Sequence, residues 1–139
     1  MKKEIARRWI KALRSGRYKQ GKKALKIRKG AAVQHCCLGV LCELYQQDKQ
    51  SRGKKTLKTT EIDPRQEGLF IDSPGVRAVR FSATATDLPP SVAQWAGMSS
   101  LDGAYSKSHK RVFNLAALND KGATFKEIAD AIEDKCDEL

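Results

Sequence analysis

Six side chains in this sequence could carry metal or nucleophilic chemistry, and four of them crowd together: His35, Cys36, Cys37 and Cys42, with His109 and Cys136 far along the chain. A zinc site wants four converging ligands, often with two cysteines spaced a few residues apart. Neighbouring cysteines on a helix project about 100° apart and do not converge. A nucleophilic cysteine would need an activated thiolate, with His35 or His109 and an acid beside it. No nucleophile, zinc or phosphate-loop motif surrounds these residues. Free cysteine is among the most buried residue types, so packing is the favoured reading. The expectation is no metal, no cofactor and no enzymatic activity, with a cysteine-based activity as the alternative.

The second chemical feature is positive charge. Residues 12–30, ALRSGRYKQGKKALKIRKG, hold eight Lys and Arg and no acid. The whole formal excess of +11 lies in residues 1–50, because basic and acidic residues balance from 51 onward. Charge gathered in this way suits a polyanion or an acidic protein surface, and it says little about fold. Arg14, Arg17, Lys19, Lys22, Lys23, Lys26, Arg28 and Lys29 form the candidate phosphate-binding set, with Tyr18 and Gln20 as candidate base contacts. The bland alternative is a solvated face, but such faces usually mix both signs. The acidic terminus DKCDEL could fold back on the basic third and neutralise part of it.

The elements that must position these residues follow from periodicity. The chain of 139 residues suits one domain, 1–139. Ile5, Trp9, Ala12 and Leu13 mark one face of a first helix over 2–14. Leu25 and Ile27 alternate with Lys26 and Arg28 as in a strand, and Lys29-Gly30 can turn the chain into a return strand at Ala32–Gln34. CCLGVLCELYQQ predicts a largely buried helix, in which Gly39 implies close approach of a neighbouring backbone. Polar residues 46–68 predict a long flexible loop with a short extended piece near Leu57. GLFI and VRAVRFSAT are strand candidates, Pro90 opens a helix that Gly97 closes, and SSLDGAYSKSHKR is expected to be loop. Thr124 and Glu127 form a capping box ahead of a last helix. The expected fold is α+β: a small antiparallel sheet packed with about four helices.

No apolar run approaches the roughly 18 residues of a membrane span, and MKKEIARRWIKALRSG lacks a signal-peptide centre. A cytoplasmic protein with reduced thiols and no membrane partner is expected.

Three pieces together resemble a family of small proteins encoded by tailed bacteriophages and prophages: W-x-x-A-L-R-S-G-x-Y-x-Q-G from Trp9 to Gly21, CCLGVLCEL from Cys36 to Leu44, and LND-x-G-x-x-F-x-x-IA-x-x-IE from Leu118 to Glu133. The resemblance implies a context, not a chemistry: a small phage-type protein that binds nucleic acid or nucleotide phosphates. The alternative is a host-takeover or anti-defence inhibitor docked on an acidic host protein. It also places Tyr18, Gln20 and Gly21 in one local structure, with Gly21 expected to supply a tight turn.

Overall fold

The computed structural model describes every residue except Asp72, His109 and Lys110. Its helices are α1 (Lys3–Arg14), α2 (Cys37–Ser51), α3 (Pro90–Ala96), α4 (Leu115–Asp120) and α5 (Phe125–Lys135). The strands are β1 (Lys26–Lys29), β2 (Ala32–His35), β3 (Thr59–Ile62), β4 (Arg77–Phe81), β5 (Ala104–Ser108) and β6 (Arg111–Asn114). The first four strands form an antiparallel sheet in the order β2-β1-β4-β3, and β5 and β6 form a separate hairpin. This is an α+β fold, as the periodicity predicts.

Helix α2 is the centre of the core. Cys37, Leu38, Val40, Leu41, Cys42, Leu44 and Tyr45 are all buried, which is why a helix with apolar residues on nearly every side is stable here. It touches α1, α3, α4 and β2. Trp9, fully buried on α1, donates its indole N–H to the Cys37 carbonyl at 2.9 Å. Helix α1 also packs along α5. Both halves of the Thr124–Glu127 capping box are present at the start of α5.

Gly39 has the close neighbour that its place in α2 implies. A Cβ there would stand 2.6 Å from the carbonyl carbon of Leu25 and 3.2 Å from its Cα. The Leu25 carbonyl also accepts from Cys36 N at 3.2 Å, so the backbone entering β1 is pressed onto the start of α2.

Several expectations from local pattern fail. The segment 46–68 is not one long loop: α2 runs on to Ser51, and Thr59–Ile62 is the strand that completes the sheet against β4. The extended piece expected near Leu57 is this strand, two residues further on, and hydrogen bonds to β4 fix it without apolar alternation. GLFI forms no strand; Phe70 is 85% exposed. The stretch expected as loop near Tyr105 contributes the β5–β6 hairpin, held by ladder bonds and the Tyr105–Phe113 ring stack. Gly21 does not adopt a turn conformation. Its missing side chain admits Gln34, whose Cβ would lie 2.9 Å from a Cβ at position 21. Lys23 takes the left-handed conformation instead, with φ 69°.

Gly39→Ala is expected to destabilise the fold by at least about 2 kcal/mol, because added atoms in a packed core force backbone shifts. Ordinary helix propensity predicts the opposite sign, a gain of about 1 kcal/mol. Urea unfolding of the two proteins measures which sign holds.

Candidate phosphate-binding surface

The fold sorts the basic segment into paired and unpaired cations. Arg14, in the last turn of α1, lies against α5, with Nη2 2.6 Å from Asp130 Oδ1 and 2.9 Å from Glu133 Oε2. These carboxylates belong to α5 and precede the DKCDEL run, in which Asp134 pairs with its neighbour Lys135. Lys26 Nζ is 2.8 Å from Glu43 Oε1 and is mostly buried. Arg28 Nη1 is 2.9 Å from Glu61 Oε1 on β3. These three sequence-predicted site residues already have carboxylate partners.

Tyr18 and Gln20 also turn inward. Tyr18 is half-buried, edge-on to His35 with ring centroids 5.2 Å apart, and its hydroxyl accepts from Gln47 Nε2 at 3.3 Å. Gln20 Nε2 donates to Asn119 Oδ1 at 3.0 Å and to the Ala123 carbonyl at 2.7 Å, while Oε1 accepts from Phe125 N at 3.1 Å. With both amide protons used, Gln20 is a strap between the basic segment and the start of α5, and it is not a base contact.

Five cations of the segment have no carboxylate partner among the described residues: Arg17, Lys19, Lys22, Lys23 and Lys29, all exposed. Two of them bracket one piece of chain. Lys23 Nζ donates to the Phe70 carbonyl at 2.7 Å, and Lys29 Nζ lies 3.3 Å from Ser73 Oγ. These neutral acceptors leave both ammonium charges uncancelled. The Lys22 ammonium lies near Gly122, 3.7 Å from where a Cβ there would sit, beside exposed Lys121. Asp120 tempers this end, accepting from Lys23 N at 2.8 Å.

Two cationic features lie outside the expected set. Lys3, Arg7 and Lys11 recur every fourth residue on the exposed side of α1, and none has a carboxylate partner among the described residues. That spacing is legible in the sequence as one helical stripe. Arg77 on β4 stands directly opposite Arg28 on β1, a like-charge pair relieved by Glu61 at Arg28 and by the nearby Asp63 carboxylate at Arg77. This second feature needs the strand register and has no local signal.

The cysteine and histidine cluster is interior. Burial pushes the Cys36 thiol up to about 11, and burial likewise holds Cys37 and Cys42 well above the ordinary thiol value. Such thiols are poor nucleophiles at neutral pH. His35 is buried, with Nε2 3.0 Å from Glu43 Oε1 and Nδ1 without a hydrogen-bond partner among the described residues. Burial opposes ionisation of Glu43, but hydrogen bonds from His35 and Lys26 outweigh it and hold the carboxyl below its usual value. No three metal-ligating side chains gather among the described residues. His109, the other candidate partner for a cysteine, lies outside the described residues.

The three motif stretches Trp9–Gly21, Cys36–Leu44 and Leu118–Glu133 meet at one buried carboxamide. Asn119 Oδ1 accepts from Gln20 Nε2 and from Cys37 N at 3.1 Å, and its Nδ2 donates to the Gly21 carbonyl at 2.7 Å. All three pieces of sequence thus contribute to one structural node. Residues 1–136 match the family model described as a domain of unknown function, DUF8296. The chain belongs to that DUF8296 family. No curated protein and no solved structure matches it. Within this DUF8296 domain no helix is long and apolar enough to cross a membrane among the described residues.

Thiol labelling of the native protein should be slow at Cys36, Cys37 and Cys42 and faster at half-buried Cys136, with denaturant removing the difference. One fast-reacting thiol among the first three, mapped by mass spectrometry, would restore a cysteine-based activity.

Proposed function

We propose that this protein is a non-enzymatic, phage-type module that binds the phosphates of nucleic acid. The reading rests on one observation: after internal pairing, Arg17, Lys19, Lys22, Lys23 and Lys29 still present exposed charge with no carboxylate partner among the described residues. Each phosphate that such a group neutralises releases counterions, which drives binding and makes it salt-sensitive. The proposed set excludes Arg14, Lys26, Arg28, Tyr18 and Gln20, whose groups are engaged within the fold. It gains Lys3, Arg7 and Lys11 as a stripe along which a backbone can run.

Lys23 supports this reading independently. A left-handed conformation costs an L-residue roughly 1–2 kcal/mol, and glycine would avoid the cost. A lysine held there at φ 69° is poor choice for stability alone. Its side chain gives a reason, because it delivers a cation to the edge of the Phe70 segment.

Binding of random oligonucleotides at about 50 and 200 mM salt tests the proposal. The wild-type chain should bind with steep salt dependence and little sequence preference. Changing Lys22, Lys23 and Lys29 together to Gln should weaken binding to all sequences and flatten the log–log salt slope by about 2 for single strands. Lys23→Gly should weaken binding without lowering thermal stability. No binding at the lower salt, or a slope near zero, overturns the proposal and leaves an acidic protein surface as the partner for these cations.

A further inference from the structure

Phe70, whose carbonyl is held by Lys23 of the basic segment, is left almost wholly in water, at 85% exposure. A phenyl ring this exposed leaves its π-face open to a ligand. Its place is fixed by the basic segment itself, since Lys23 Nζ holds the Phe70 carbonyl and Lys29 Nζ contacts Ser73 three residues on. Three residues of chain span at most about 10 Å, so two ammonium groups, neither with a carboxylate partner among the described residues, contact one short stretch that carries the ring.

Beside this segment a groove of about 260 Å³ opens between it and the β1–β2 hairpin. Ile27, Ala32, Ile71 and Val76 give it apolar walls, and Lys29 lines it beside Arg28, whose charge Glu61 already meets. An exposed π-face, an apolar slot and flanking cations are the parts of a platform for unpaired bases: bases stack while the ammonium groups follow the backbone. A paired base offers neither face, because its neighbours in the duplex cover both.

We infer that Phe70 is a base-stacking residue and that the ligand of this surface is single-stranded nucleic acid. The inference rests on the phosphate-binding reading above and narrows it from any polyanion to strands with free bases. It also replaces Tyr18, the aromatic residue within the basic run, whose ring is occupied against His35. Short sequence preferences should be weak, since every base has a π-face.

The test is fluorescence anisotropy of the full chain with single-stranded DNA, single-stranded RNA and duplex DNA, using wild type, Phe70→Ala, Phe70→Trp and Lys23→Gln with Lys29→Gln. Phe70→Ala should lose about 5- to 150-fold in single-strand affinity, the equivalent of one stacked base, with duplex affinity and melting temperature unchanged. Phe70→Trp should keep or improve single-strand binding. The single-stranded DNA and RNA arms show whether the 2′-hydroxyl contributes. If Phe70→Ala leaves single-strand binding intact while the lysine variant weakens it, the stacking role is overturned and the phosphate reading stands. If Phe70→Ala weakens duplex and single strand equally, stacking is also overturned. If the wild type binds none of the three at low salt, both readings fall together.

Discussion

The buried carboxamide of Asn119 holds the three parts of this fold in register. The first turn of a helix leaves backbone donors unsatisfied, and Cys36 at the start of α2 has no side-chain cap bond. Asn119 supplies an acceptor to Cys37 N from 82 positions away, while its amide reaches the Gly21 carbonyl and its oxygen meets Gln20. A buried amide left unpaired costs about 1–3 kcal/mol, so these groups fix one another's positions. The Leu25 backbone lying on Gly39 adds a steric constraint a few residues on. Between these two points the chain from Gln20 to Leu25 has little freedom, and it carries Lys22 and Lys23 with it.

That fixed path decides where charge is available. Lys26 projects onto the α2 side of the sheet and meets Glu43, so its charge serves packing. The neighbouring strand position Arg28 faces Glu61 and Arg77 on the same sheet face. Lys23 reaches the Phe70 carbonyl and Lys29 reaches the Ser73 hydroxyl. Hydrogen bonds to neutral oxygens orient an ammonium group without cancelling its charge. The basic run is therefore divided between internal ion pairs and oriented, uncompensated cations.

The cysteines illustrate how burial removes chemistry that composition offers. Cys36, Cys37 and Cys42 lie on the most enclosed helix of the molecule, where the thiolate loses its hydration. His35 and Glu43 form a contact nearby, yet it is spent on holding Lys26 and the start of α2 together.

Sequence alone determined the α+β class, the amphipathic α1, the capping box of α5, the turn at Gly30 and the need for glycine at position 39. Each depends on residues a few positions apart, and local backbone geometry enforces it. It also determined that the positive excess lies in the first fifty residues. Tertiary structure alone decided which of those charges are free. Arg14 finds Asp130 at a separation of 116 residues, and Gln20 finds Phe125 at 105. The same holds for strand β3, which polar Thr59–Ile62 forms only because β4 offers it a ladder, and for Phe70, whose exposure follows from where Lys23 and Lys29 hold its segment. Coulomb and hydrogen-bond energies depend on distance in space, and no local pattern encodes the distance between ends of a chain that meet only after folding.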